Sequence, residues 1–269
     1  MTTFKILPEA CYDLTDLSRE DVTAAFSKNE TITGYVEEIQ EKNEKLLVKL
    51  GHRLYGYLPF SEVTPYTFIY TSKPGRYLPV QIYTLFHKKI RVKVTYVDNA
   101  TISLSRKANM LEVTNYLKEN KDAILHITSM LPAVVFGDIG DGVVGRLSIK
   151  HISRVRIKSS YDYFSPGENI KVKILEPAQE DYGFFVSHVQ AFKKYDPYDY
   201  HNSEVVSGII RDPLDSKNDA YYVDIAPNVS SIMDVTDNCP PLSYGDKVLC
   251  YVKQAGPKGL HLRFLALDD

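Results

Sequence analysis

Rings and cations recur side by side in this sequence. Lys49, Arg53, Tyr55 and Tyr57 fall within nine residues. If residues 54–58 form a strand, alternation puts Tyr55 and Tyr57 on one face. The same rule puts Arg91 and Lys93 together in a second run. Further on, Phe136 precedes Arg146, Lys150, His151, Arg154, Arg156 and Lys158, six chargeable groups in thirteen residues and the densest cationic stretch of the chain. Flat rings beside cations suit the holding of an unpaired nucleic acid: a ring stacks on each base for about 1–3 kcal/mol while the cations track the phosphates. Two blander readings compete. Phe136 fits a core position, and the basic run fits a solvated connection.

Other chemistries find less support. Gly140, Gly142 and Gly145 match GxGxxG, but a dinucleotide site needs those glycines to open a helix. Val143 and Val144 interrupt them, so a hairpin turn is expected. The seven histidines are scattered, with no HExxH and no cysteine at zinc spacing. Asp212, Asp215 and Asp219 lack the regular spacing and final Glu of a calcium loop. No GxSxG, P-loop or kinase string occurs. The expectation is a non-enzymatic chain with no cofactor and no metal.

The elements that must position these residues repeat three times. Thr31–Gln40, Lys45–Leu50, Leu54–Leu58, Lys89–Val97 and Thr101–Ser105 read as β-rich runs. Residues 123–129, 133–139, 143–149, 169–175 and 183–187 repeat the series, and 204–210, 221–225, 229–233, 247–254 and 260–264 repeat it again. Five strands with a longer connection after the third fit a small Greek-key barrel of the OB type, whose closure removes exposed edges. The fold class expected is all-β: three tandem five-stranded OB-fold barrels, a short N-terminal helix and a linker helix. Ser18 caps a helix to about Lys28, with Val22, Ala25 and Phe26 on one face. Residues 108–120 join the first barrel to the second through a ragged stripe of Leu111, Val113, Tyr116 and Leu117. The expected layout is an extension over 1–29, barrels over 30–107, 121–190 and 204–269, and a linker over 191–203 interrupted by Pro197. The first barrel carries a Tyr-rich insertion at 65–86. Tyr221 and Tyr222 must face opposite ways, so one of them is core.

The chain has 269 residues, 44% apolar and 25% charged, with no apolar run of the ~20 residues that cross a bilayer. Met1–Cys11 lacks a secretory pattern. Three cysteines without CxxC spacing suit a reducing compartment, with Cys250 in the core. A cytoplasmic protein with no membrane partner is expected. The net charge of −2 hides an asymmetry. Residues 31–107 carry 12 Lys/Arg against 6 Asp/Glu, whereas 196–269 carry 6 against 12. The basic part is where a nucleic acid is expected; the acidic part suits protein docking.

Several strings resemble an S1 domain, the OB-fold RNA-binding module of ribosomal protein S1. In the first repeat these are Thr33–Gly34–Tyr35–Val36, Val48–Lys49–Leu50–Gly51, Gly56–Tyr57–Leu58–Pro59–Phe60–Ser61–Glu62, Val92–Lys93–Val94–Thr95–Tyr96–Val97–Asp98 and Leu104–Ser105–Arg106–Lys107. The second has Asp138–Ile139–Gly140–Asp141–Gly142–Val143–Val144–Gly145–Arg146–Leu147, then Phe164–Ser165–Pro166–Gly167–Glu168, and Val186–Ser187–His188. The third is weaker, with Val206–Ser207–Gly208–Ile209–Ile210 and Tyr244–Gly245–Asp246–Lys247–Val248. The resemblance covers roughly residues 30–265 in three tandem copies. It implies that RNA lies across the second and third strands, touching an aromatic slot and a His slot. By position the aromatic slot holds Leu47, Phe136 and Tyr222, and the His slot holds Pro59, Ser148 and Asp234. The implied function is binding of single-stranded RNA in translation or mRNA handling, with single-stranded DNA left open. The sites expected are Lys49, Arg53, Tyr55, Tyr57, Arg91, Lys93, Phe136, Arg146, Ser148, Lys150, His151, Arg154 and Arg156. Charge reversal at Arg154 and Arg156 is expected to weaken binding most at low salt. The alternative is a scaffold of degenerate barrels docking on a ribosome or other ribonucleoprotein.

Overall fold

The computed structural model describes residues 6–66, 79–153, 157–177, 183–193, 196, 199–213, 220–235, 239–257 and 259–268, the side chains of 212 and 213 excepted. In the first barrel, β1 (Thr31–Gln40), β2 (Lys45–Gly51), β3 (Leu54–Pro59), β4 (Lys89–Val97) and β5 (Ile102–Ser105) close in the order β1-β2-β3-β5-β4. All its ladders are antiparallel except β3 with β5, where Tyr57 faces Ser103 in parallel register. Inward positions carry Val36, Leu46, Val48, Leu58, Ile90, Val92 and Leu104, all essentially fully buried. Each such side chain contributes about 1.5–3 kcal/mol. Gly56 is inward too: a Cβ there would meet Leu104 Cδ1 at 2.7 Å. Its flanking tyrosines are thereby set on the outside.

The second barrel comprises β6 (Asp122–Leu131), β7 (Val134–Asp138), β8 (Val144–Ser148), β9 (Asn169–Pro177) and β10 (Phe184–Ser187). The third comprises β11 (Val205–Pro213), β12 (Ala220–Ala226), β13 (Val229–Asp234), β14 (Lys247–Gly256) and β15 (Gly259–Leu267). Both close in the same order as the first. The fold is thus all-β with three closed five-stranded barrels, as the repeated runs predict. The chain divides into two compact units: Met1–His126 with 137–145 and 174–185, and the remainder. Cys250 is fully buried in the third barrel's core, and burial pushes its thiol up to about 12. Tyr221 is 6% exposed and Tyr222 44%, so the core member of that pair is Tyr221.

In the first unit, α1 (Arg19–Lys28) starts at a capping box in which Asp21 N–H donates to Ser18 Oγ and Ser18 N–H to Asp21 Oδ2. Val22 and Ala25 are buried, but Phe26, one step further round, is 41% exposed. The helix after the first barrel, α3 (Arg106–Glu119), follows a short α2 (Val80–Tyr83) in the chain and buries Arg106, Asn109, Met110, Val113 and Leu117. Its stripe looks ragged in the sequence because two of its members are polar.

Those polar members enter a buried knot. Arg106 donates from Nε and Nη2 to the two carboxylate oxygens of Glu9 at 2.8 and 2.7 Å, and from Nη1 to Val63 O. Asn109 donates to Asp141 Oδ2 at 3.0 Å and accepts from Thr31 Oγ1. Asp138 accepts the N–H groups of Glu9, Gly140 and Gly142. Burial and the neighbouring Glu9 carboxylate push Asp138 up to about 7, against the pull of those N–H groups and of Arg106. Gly142 has φ +86°, and a Cβ there would lie 1.8 Å from Arg106 Nη2. Gly140 and Gly142 therefore serve a turn into β8 and the approach of a guanidinium, while Gly145, within β8, leaves room for the Ile139 and Leu125 side chains.

Candidate nucleic-acid interface

Alternation along β1, β2 and β3 builds a ringed outer face on the first barrel. Tyr35 of β1 stands opposite Lys49 of β2, and Lys49 opposite Tyr55 of β3. In the next outward row Leu47 faces Tyr57. Lys45, two residues before Leu47, reaches diagonally to put its Nζ 3.8 Å from the centre of the Tyr57 ring. Lys49 and Arg53 are exposed, and Tyr55 and Tyr57 half-buried. Arg53 occupies the β2–β3 turn at φ +56°. Tyr55 hydrogen-bonds Glu37, which raises its phenol pKa.

The ringed face continues past the strands the sequence points to. Tyr35 stacks on His87 with centroids 6.0 Å apart and planes 25° apart, and Phe86 lies against His87 at 3.7 Å. Backbone bonds between Val36 and both His87 and Lys88 lock this corner to β1. Sequence reasoning misses Tyr35, Phe86, His87 and Lys45. The outward parity of Tyr35 on β1 is the available signal; the approach of residues 86 and 87 has none.

Arg91 and Lys93 face elsewhere. Arg91 donates to Thr33 Oγ1 at 2.9 Å, lies 4.1 Å over the Tyr12 ring, and has Nε 3.6 Å from Asp141 Oδ1. Lys93 is buried, donating to Asn29 O and paired with Glu112. Their face of β4 is covered by α1, α3 and the turn at Glu9–Cys11. With Arg106 on Glu9, three cations of the basic segment are matched by acids from outside it. Net charge by segment cannot register this.

In the second unit, Phe136 lies outside the barrel: Val135 and Gly137 are buried and Phe136 is half-buried. The Arg146 guanidinium carbon is 5.8 Å from its ring centre. Arg146 and Lys150 are exposed, and Ser148 and His151 half-buried. His151 O accepts from His188 N–H. Arg154 and Arg156 lie outside the described residues, as do Tyr70, Tyr77, Pro197, Asp215, Asp219 and the Asp212 side chain. The His-slot residues Pro59, Ser148 and Asp234 are the last residues of β3, β8 and β13. Asp234 is paired with Lys253 and His261, each at 3.2 Å.

No family model matches the chain. Over 210 residues it is 27% identical to the small ribosomal subunit protein bS1 homolog of Bacillus cereus, covering 76% of this chain and 53% of that protein. The chain spans about half the length of the relative it matches. Among solved structures, a multidomain protein with nucleic acid binding domains from Streptococcus pneumoniae covers 88% of this chain and 73% of its own, at 12% identity and a TM-score of 0.31. Among the described residues no helix is long and apolar enough to cross a membrane.

Proposed function

We propose that the chain binds single-stranded RNA, without catalysis, through the outer face of its first barrel and the Phe136–Arg146 face of its second. The observation that carries this reading is the cross-strand row Tyr35, Lys49 and Tyr55, set beside Tyr57 under Lys45 and extended by His87 and Phe86. Rings in file offer π-faces to successive bases, and exposed Lys49 and Arg53 meet the phosphates between them. Arg91 and Lys93 take no part, since their charges are matched internally. Lys150, His151 and Ser148 extend the second face. Tandem weak faces on one chain gain avidity by raising each other's local concentration.

The likeness to a small-subunit ribosomal protein homologue supports a cytoplasmic role in translation or mRNA handling, with the ribosome or another ribonucleoprotein as the wider partner. Fluorescence polarisation of a labelled single-stranded 12-mer RNA against the whole chain tests the reading. Wild type is expected to bind, with affinity falling as salt rises; equal affinity for Tyr55→Ala/Tyr57→Ala and wild type would sink it. The same 12-mer as DNA decides whether the 2′-hydroxyl is read.

A second reading applies to the outward strand faces of the third barrel alone. Its strands leave Val205, Leu265 and Leu267 about half exposed, and Asp234 stands in its His slot. Apolar exposure on an acidic segment suits a protein partner better than phosphates. Unaltered RNA affinity in Tyr222→Ala supports this assignment; a fall comparable to that of Tyr57→Ala overturns it.

A further inference from the structure

An open pocket of about 360 Å³ lies in the second unit, where the turn at Ser160–Asp162 and the following residues meet the segment before β14. Tyr161, Tyr163, Tyr244, Asp162, Asp246 and Lys247 line it. Its aromatic walls are fixed by contacts outside the pocket. Tyr163 OH donates to buried Asp224, and Tyr244 OH accepts Lys158 N–H at 2.6 Å. The Arg211 guanidinium carbon lies 4.1 Å from the Tyr163 ring centre and 5.5 Å from that of Tyr244; Lys158 Nζ is 4.2 Å from Tyr244. Rings held in this way are pre-organised, so a ligand need not order them.

The charges around the pocket select its occupant. A cation would meet Lys247 and rings that already carry Arg211 and Lys158. An anion would meet Asp162 and Asp246. A flat neutral group with N–H donors on its edge meets neither penalty. Asp162 Oδ2 accepts Ser159 N–H and Asp246 Oδ2 accepts Ser243 N–H, leaving the Oδ1 atoms without a donor among the described residues. A guanine offers N1–H and N2–H₂ along one edge to such carboxylates, its ring to tyrosines, and its phosphate to Lys247.

We propose that this pocket takes one guanine base of the bound single-stranded RNA, giving base preference to a protein whose stacking faces are tolerant of sequence. The proposal rests on the RNA-binding reading above. The chain has no tryptophan, so a single introduced one is a clean fluorescent reporter. Tyr161→Trp and Tyr57→Trp, each in the whole chain, are titrated with an oligouridine 12-mer RNA and with the same RNA carrying one central guanosine.

Both RNAs are expected to quench the Tyr57→Trp reporter, and only the guanosine RNA the Tyr161→Trp reporter. Wild type should prefer the guanosine RNA by at least about fivefold, the lower end of a good bidentate contact. Asp162→Asn/Asp246→Asn should lose that preference while keeping oligouridine affinity. Quenching at position 57 alone, or a preference that survives the double substitution, overturns the pocket reading and leaves the RNA face standing. Silence at both positions, with no binding by wild type, overturns both. Photocrosslinking of 6-thioguanosine RNA to the unmodified protein checks the result without a substitution. Adducts on residues 161–165 or 244–247 support the pocket, and adducts confined to the first barrel overturn it.

Discussion

Asp224 and Arg211 form a buried ion pair, Nε to Oδ2 at 2.9 Å, with side chains 1% and 4% exposed. The carboxylate also accepts from Tyr163 OH, from Ser153 Oγ at 3.0 Å and from Ser230 Oγ at 2.6 Å. Arg211 Nη1 and Nη2 have no hydrogen-bond partner among the described residues, and the guanidinium lies over the rings of Tyr163 and Tyr244 instead. Removing a charge from water is costly, and here the cost is offset chiefly on the acid side. Burial and the Asp224 charge raise the Tyr163 phenol pKa, which keeps its proton on the hydrogen bond.

Breaking that pair from one side should therefore be severe. Arg211→Leu leaves a buried carboxylate with only hydroxyl donors and is expected to cost about 3–5 kcal/mol in unfolding free energy. Arg211→Leu/Asp224→Leu removes both charges and should recover much of the loss. Urea denaturation of the whole chain reads both; a double variant no better than the single would show that the pair is net stabilising.

The Glu9–Arg106 pair makes the parallel case in the first unit. Glu9 reaches Arg106 across 97 residues and is the sole carboxylate hydrogen-bonded to its guanidinium among the described residues. Glu9→Ala should cost about 3–5 kcal/mol by stranding the buried guanidinium, and Glu9→Gln less, because the amide oxygen still accepts one hydrogen bond. Hydrogen exchange at the 137–145 turn should accelerate with the loss, since Glu9 N–H also donates to Asp138. An unchanged exchange rate there would show that the turn stands without the N-terminal segment.

Strand runs and barrel count were legible because inward and outward side chains alternate with period two wherever one face is core. Thr31–Gln40 and Lys89–Val97 are visible to the residue for that reason. The outward tyrosines 55 and 57 were legible by the same parity. What parity cannot show is which outward face meets solvent. Arg91 and Lys93 look like Lys49 in the sequence, yet α1, α3 and Glu9 cover them, and none of these covering elements adjoins β4 along the chain. The aromatic corner at His87 and the knot around Asp224 are hidden likewise, because their members meet only once the barrels have closed.

That difference gives a direct contrast. Lys49→Glu should lower affinity for single-stranded RNA, more at low salt, and flatten the salt dependence by about 0.7 for each phosphate no longer neutralised. Tyr57→Ala should weaken binding by roughly 5- to 150-fold with the salt slope unchanged, as expected for a missing stack. Lys93→Met should leave both readouts at wild-type values. A change of salt slope in Lys93→Met as large as that in Lys49→Glu would mean that β4 faces the RNA after all.

A histidine supplies the pH dependence. His188 is buried edge-on between Phe164 and Phe192, with centroids 5.2 and 4.9 Å away, and its Nδ1–H donates to Lys171 O at 2.7 Å. Burial lowers its pKa below the ordinary 6.5 even though the carbonyl favours the charged form. The unfolded chain therefore binds the proton first as the solution is acidified. The stability linked to the neutral ring is present above about pH 6.5 and is lost progressively as pH falls toward the lowered folded value. Urea midpoints measured from pH 7.5 to 5 should fall more steeply for wild type than for His188→Gln, which cannot titrate. Parallel pH profiles for the two would show that the ring is not held neutral, and would place the acid sensitivity on the carboxylates instead.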